Sequence, residues 1–484
     1  MIKRFNLSFL FQNKDLSQIV IKNTIWMMGA TIISKVFKFI MMLFVARYFS
    51  PEIFGEINYI IVLAAFCFSF TEVGLSTLVN REYQQGEIAP DKLIAAGWMI
   101  KIVLVALNAL VAIVVVRFIP NHLLVPFIIF FIMNIIDSLK LYKIALVRTQ
   151  NNREYEAICV MIETILTSIV GILIIWKTAN ITLFACGYLG SSIMSSIYIW
   201  NKASNISESF LKAEYRYVKQ LLKKIAPFII SAFLIVALTS MDTLMIQWMD
   251  GAEGVGFYQA SIKITETILI IPVLYMTTIF PFTSKYAFDE LRLIKILKES
   301  ISILAMIGFP IVVGGIYLSK EIILSIYTAS YFQSIILFKY LLISIVPIFF
   351  STIFNGILLS TKQERKSVAI TATAFLINIG LNIYLIPKMG ALGAVYGTLI
   401  SRSMLLLILW VIIASIFKQK IVEITSLVKY GVFSVIMMWS IMLIKIKIGN
   451  VFLLILFGAF AYMACLVMVK DKYFLKVKDI VRKV

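Results

Sequence analysis

The chain has 484 residues, of which 61% are hydrophobic and only 14% charged, and its mean hydropathy is +0.96. That composition excludes a soluble globular domain and defines a polytopic membrane protein. The formal net charge of +20 invites a nucleic-acid partner, but the basic residues are spread over many loops and form no contiguous patch, so that partner is rejected.

In chain order, residues 1–22 come first. Asn13, Lys14 and Asp15 break their apolar runs, and no small-residue cleavage site follows. The segment therefore reads as an amphipathic stretch on the cytoplasmic membrane surface, not a signal peptide. From Asn23 to Phe49 the chain is long enough for a transmembrane helix, with Lys35 and Lys38 near its middle. Their three-residue spacing puts both on one face, in line with Thr31 and Met42. Each lies about 12 Å or more from a helix end by the 1.5 Å rise, too far for easy snorkelling. An ammonium at that depth costs about 3 kcal/mol or more, so both are expected to face a wet cavity, with structural pairing or snorkelling the alternative.

Hydropathy gives about fourteen spans. They centre near Phe37, Ala65, Val105, Phe131, Ile165, Tyr188 and Leu238, then Ile270, Ile307, Ser344, Leu376, Leu405, Met437 and Leu456. The fold class is thus an all-α polytopic membrane protein of two pseudo-symmetric six-helix lobes plus two extra C-terminal helices. The expected boundaries are an N-terminal lobe at 23–201 and a cytoplasmic linker at 202–224. A C-terminal lobe at 225–416, helices 13 and 14 at 417–470 and a basic cytoplasmic tail at 471–484 complete the chain. With the N-terminus inside, the inner loops and tails hold roughly 32 of the basic residues. The outer side holds roughly seven: Arg47, Arg117, Lys177, Lys320, Lys388, Lys445 and Lys447. Both termini are therefore expected to be cytoplasmic.

Charges inside spans are the candidate functional groups, because each is costly there. Besides Lys35 and Lys38, the cations are Lys101, Lys263, Lys339 and Arg402. Lys101 and Lys339 stand nearer the span ends, where snorkelling is the favoured reading. The acids are Asp242 in span seven and Glu266, three residues from Lys263, in span eight. A carboxylate beside a lysine in a low-dielectric cavity suits exchange of H⁺ or Na⁺, and equally suits a static ion pair. Glu72 and Glu163, in the inner halves of spans two and five, are candidate gate partners of Lys35 and Lys38 or simply neutral, protonated carboxyls, with Arg47 a further gate candidate. Tyr59 and Tyr396 are the candidate sugar-stacking rings among several aromatics. Gly308-Phe309-Pro310, Gly314-Gly315, Pro227 and Pro272 are expected bending points. Cys67, Cys159, Cys186 and Cys465 have no pairable spacing and read as free thiols.

Two echoes point to an internal duplication. Ile53–Tyr59 resembles Gly254–Ala260, and Thr149–Arg153 resembles Thr361–Arg365. The offset of about 200 to 210 residues maps spans one to six onto seven to twelve.

The run Ala46-Arg47-Tyr48-Phe49-Ser50-Pro51-Glu52-Ile53-Phe54-Gly55, then Glu72-Val73-Gly74-Leu75-Ser76 and Arg81-Glu82, resembles the polysaccharide transporters. So does the later set Asn378, Asn382, Leu385-Ile386-Pro387 and Gly390-Ala391-Leu392-Gly393-Ala394. These are the O-antigen and capsule repeat-unit flippases of the multidrug/oligosaccharidyl-lipid/polysaccharide exporter superfamily. The resemblance implies alternating access and an undecaprenyl-diphosphate-linked oligosaccharide as cargo in the bacterial cytoplasmic membrane. A polysaccharide polymerase and a chain-length regulator are candidate partners. Under it Lys35, Lys38, Arg402 and Lys101 become candidate diphosphate contacts, and Asp242, Lys263 and Glu266 candidate coupling residues. In the lipid II flippase branch the first helix carries a neighbouring arginine and aspartate. Met41 and Met42 stand there here, which favours the repeat-unit branch.

Enzyme signatures are missing from the sequence. His122, the single histidine, is expected at the outer mouth of span four without an acid or cysteine nearby, and no His/Cys metal set or phosphate loop is found. No cofactor is expected. Two alternatives stand behind the flippase: a drug/cation antiporter of the multidrug and toxin extrusion branch, and a membrane-embedded glycan-assembly enzyme. Short outer loops disfavour the second.

Overall fold

The computed structural model of the protein describes residues 16–72, 74–150, 152–203, 213–417, 421–446 and 449–476. Most of the expected amphipathic N-terminus, residues 204–212 of the expected linker and residues 477–484 of the tail lie outside them, as do Val73, Asn151, Lys447 and the side chain of Pro227.

Seventeen α-helices and no strand are found among the described residues. They are α1 (Leu16–Tyr48), α2 (Pro51–Glu72), α3 (Leu75–Gln85), α4 (Pro90–Val116), α5 (Asn121–Thr149) and α6 (Arg153–Thr178), then α7 (Ile181–Lys202) and α8 (Tyr215–Met249). After these come α9 (Ala252–Ile268), α10 (Ile270–Lys285), α11 (Glu290–Tyr317), α12 (Ser319–Ile326), α13 (Ser334–Ser360), α14 (Glu364–Met389) and α15 (Ala391–Phe417), with α16 (Ile424–Lys445) and α17 (Val451–Met468) last. Thirteen segments among the described residues are long and apolar enough to cross a membrane. Helix α8 contains the remaining expected span, near Leu238. Two spans are interrupted. The second breaks after Glu72, where Gly74 takes a left-handed φ of 79° that costs glycine little. The eighth breaks between α9 and α10, just before Pro272.

Helix boundaries follow local chemistry. Pro90 opens α4 in its first turn, where its missing N–H is no loss. Asn180 caps α7 by accepting from the N–H groups of Thr182 and Leu183 at 2.8 and 3.1 Å. Asn450 does the same for α17.

The contacts divide the chain into two units, Met1–Leu244 and Met245–Val484. The division falls inside α8, whereas the sequence placed a linker at 202–224. The leading turns of α8 explain the difference. Val218, Leu221 and Ile225 are buried in one apolar cluster with Leu75, Leu93, Trp98 and Tyr142 of the first unit.

Within the first unit α2 packs on α5, α5 on α7, α6 on α7 and α1 on α6. Within the second, α9 and α10 pack on α13, α13 on α15 and α14 on α15. Span two on four, four on six and five on six therefore recur six spans later, as the duplicated architecture requires. Close approach depends on small residues, as is usual inside membranes. A Cβ on Gly97 would overlap the Tyr142 hydroxyl, which donates to Ile94 O at 2.9 Å. Helices α16 and α17 belong to the second unit: α16 lies on α11, and Tyr462 of α17 donates to Met306 O at 2.9 Å.

Candidate functional site

Lys35 and Lys38 are both exposed on α1, flanked by the buried Ser34 and Met41. The helix packs on α6 with the buried Met41 against Gly171, and the face shared by the two lysines is open. Arg47 near the end of the same helix is also exposed. Arg402 is half-buried on α15, and Lys339 helps to line a cavity of about 700 Å³ with Asp250, Glu253 and Gln333.

Lys101 stands apart from these. Its side chain is 0% exposed, and its Nζ donates to Glu72 Oε2 at 2.5 Å and to Thr71 O at 3.0 Å. It therefore satisfies the end of α2 where that span breaks, and it neither snorkels nor faces a cavity. Ser76, just past the break, donates to Glu72 Oε1 at 2.5 Å. The expected pairing of Glu72 with a lysine of α1 is corrected here: its ionic partner is Lys101.

Glu163 is placed likewise. It pairs with Lys140 of α5, which also holds Asp137 at 2.6 Å. Sequence reading missed both residues of α5. Their three-residue spacing inside an apolar run was the available signal. His122 is a further correction, since its Nε2 lies 2.8 Å from Glu56 Oε1 at the start of α2.

In the second unit Lys263 and Glu266 do pair, at 3.8 Å with both side chains partly exposed. At that distance and exposure such a pair contributes less than about 1 kcal/mol. Asp242 is 4% exposed and lies in the first unit. Of the two candidate rings, Tyr59 is 2% exposed and has no face to offer a sugar in this conformation. Tyr396 is half-buried with its ring 4.8 Å from that of Tyr340.

Beyond the last span, Asp471 forms a clasp that ties the end of α17 to α16. Asp471 accepts from Lys429, from the Tyr430 hydroxyl at 3.2 Å and from the Tyr473 and Phe474 N–H groups at 3.0 Å each. Burial pushes its carboxyl up, but Lys429 and those N–H groups outweigh it and hold the pKa below the usual range.

Repeated spans, an open basic face and charges satisfied inside helices define a polytopic helical membrane protein. Residues 20–287, more than half of the chain, match the family described as Polysaccharide biosynthesis protein, and the chain belongs to that family. Residues 227–384 also match the MatE family, and both lie within the multidrug/oligosaccharidyl-lipid/polysaccharide superfamily. A solved structure of the lipid II flippase MurJ, in an inward closed conformation, superposes with a TM-score of 0.74 at 18% identity. It covers 92% of this chain and 99% of that one. An inward-facing multidrug resistance MATE transporter superposes with a TM-score of 0.66 at 14% identity, covering 80% and 96%. At such identities the likeness shows the fold. A curated relative, the probable multidrug resistance protein NorM of Buchnera aphidicola subsp. Baizongia pistaciae, is 27% identical over 226 residues. That match spans 44% of this chain and about half, 49%, of the relative.

Proposed function

We propose that this protein is a flippase. It carries undecaprenyl-diphosphate-linked oligosaccharide repeat units from the cytoplasmic to the outer leaflet of the bacterial cytoplasmic membrane by ion-coupled alternating access, with both termini cytoplasmic. What carries the reading is the open face of Lys35 and Lys38 at mid-depth of α1, in a chain of the polysaccharide biosynthesis family. The physical problem is to move a diphosphate and its sugars across about 30 Å of hydrocarbon. The polyprenyl tail stays in lipid, while the diphosphate needs cations in place of water, and lysine is a natural phosphate partner. Polymerase and chain-length regulator are the partners this cargo implies.

If the two lysines hold the diphosphate, they read a feature common to every repeat unit. Lys35→Ala with Lys38→Ala should abolish export of all cargoes alike, whereas the double arginine variant should keep much activity. Each lost charge-assisted contact, about 1.5–3 kcal/mol, corresponds to roughly ten- to hundred-fold weaker capture. The measurement is complementation in cells making different repeat units, with protein abundance matched by blot. Normal export by the double alanine, or failure with one glycan only, would sink the assignment. Sugar preference should follow Tyr396 rather than the enclosed Tyr59. Asp242→Asn and Glu266→Gln should each slow export without lowering abundance if that carboxyl takes part in ion coupling.

A second reading, a drug/cation antiporter, has its own support in the MatE match and in the NorM relative. It predicts drug resistance that survives loss of the α1 lysines, because a cationic cargo gains nothing from them.

A further inference from the structure

Near the midpoints of α5, α6 and α7 lies a charged cluster of which sequence reading singled out Glu163 alone. Lys140 Nζ donates to Asp137 Oδ1 at 2.6 Å, to Ser195 Oγ at 3.1 Å and to Glu163 Oε2. Ser192 donates to Asp137 Oδ1 at 2.5 Å, and Ser195 to Glu163 Oε2 at 3.2 Å. Asp137 Oδ2 and Glu163 Oε1 take no part in this set.

The charges do not balance. Two carboxylates share one ammonium, and among the described residues Lys140 is the one cation in ion-pair contact with either. The titratable groups beside them are the Cys159 thiol of α6 and the Tyr188 phenol of α7, neither of which brings positive charge. Acids and bases of the other packed helices are engaged elsewhere: Glu56 with His122, Glu72 with Lys101, and Glu82 with Arg81 and Lys224. On α1, packed against α6, Lys35 and Lys38 are exposed. On α5 itself Arg148 pairs with Glu156, and Lys143 lies over the Trp200 ring.

Access is uneven in a useful way. The side chains of Asp137 and Glu163 are 17% and 27% exposed, whereas that of Lys140 is 5% exposed. The ammonium is fixed inside, while both acids reach a surface.

We propose that Asp137 and Glu163 form a proton-exchange site in the first unit, organised by Lys140. With the lysine charged, one proton shared between the two acids makes the cluster neutral. Its release leaves one negative charge in a low-dielectric setting. Loading forms an O–H bond on a carboxylate oxygen as hydronium gives up its own, and unloading returns the proton to water. The site deepens the ion coupling of the flippase reading and rests on that reading for its part in transport. The proton binding itself does not.

The test is infrared difference spectroscopy of the purified full-length protein stepped through pH. The wild type should show a titrating protonated-carboxyl C=O band that shifts in heavy water. Asp137→Asn and Glu163→Gln should each abolish it, because the remaining acid then pairs with Lys140 alone. Lys140→Met should displace the midpoint to higher pH, by about ten- to thousand-fold in proton affinity. Ser192→Ala, a milder change that guards against failure to fold, removes a donor to the ionised form and should also move the midpoint upward. No titrating band in the wild type, a band surviving both amide variants, or an unmoved midpoint in Ser192→Ala would each overturn the site. A wild-type chain that exports glycan without the band overturns the site and leaves the flippase standing. A band in a chain that exports nothing supports the site alone.

Discussion

Lys101 and Lys35 are both lysines within apolar spans, yet the surroundings give them opposite expectations. The Lys101 ammonium is enclosed with Glu72 and the Thr71 carbonyl. Removing one partner of such a pair leaves the other unmatched and costs about 3–5 kcal/mol. Lys101→Ala should therefore lower the melting temperature and abundance of the purified protein, with export falling in proportion. Lys35→Ala, on an open face, should leave both unchanged. A stable but transport-dead Lys101→Ala would restore that residue to the cargo path. The sequence could not distinguish the two cases. Depth along one helix is legible from spacing, but the neighbour across the interface is not. Glu72 meets Lys101 29 residues away, Glu163 meets Lys140 23 away, and His122 meets Glu56 66 away.

Helices show the same division between what a pattern specifies and what packing decides. Apolar length was enough to locate the spans, since the bilayer sets their size. The break in span two was not legible, because Glu72-Val73-Gly74 differs little from many helical runs until Lys101 caps its end. Packing also explains which glycines are needed. Gly97→Ala should destabilise the first unit by about 1–3 kcal/mol, since the added methyl meets the Tyr142 hydroxyl. Adding Tyr142→Phe removes that oxygen, and the double variant should recover part of the loss in a thermal melt. At the other end of the chain, the α16–α17 clasp gives a pH dependence with a defined sign. A carboxyl held below its unfolded value of about 3.9 contributes stability above that pH and loses it as pH falls through the folded pKa. Asp471→Asn should thus cost about 1–3 kcal/mol at neutral pH and progressively less in acid. A melting difference from wild type that stayed constant down to acid pH would contradict this.

For the molecule as a whole, the two echoes of sequence corresponded to a repeated order of helix pairing, because both report the same duplication. The domain boundary did not follow from composition. A polar stretch reads as a linker, but two apolar side chains within it and a third just past its end decide where its later part goes. Burying Val218, Leu221 and Ile225 is worth about 1.5–3 kcal/mol each. The half-exposed Lys92–Glu214 pair at 2.7 Å adds less than about 1 kcal/mol. A protease site inserted between Ser204 and Lys212 should therefore yield two fragments that stay together through purification. Leu221→Asp with Ile225→Asp should let them separate, while Lys92→Ala should not.

The Asp471 clasp also has a consequence in time. Its partner Lys429 stands 42 residues earlier in the chain. At about 5–20 residues per second, a ribosome delivers the aspartate roughly 2–8 s after the lysine. For the later part of that interval α16 is already made, yet its lysine and the Tyr430 hydroxyl lack the group that joins them. The second unit thus stays unfinished until residue 471 has been made. A chain stalled before Asp471 is added would display an unmatched lysine at the membrane, a mark by which quality control could recognise the interrupted product.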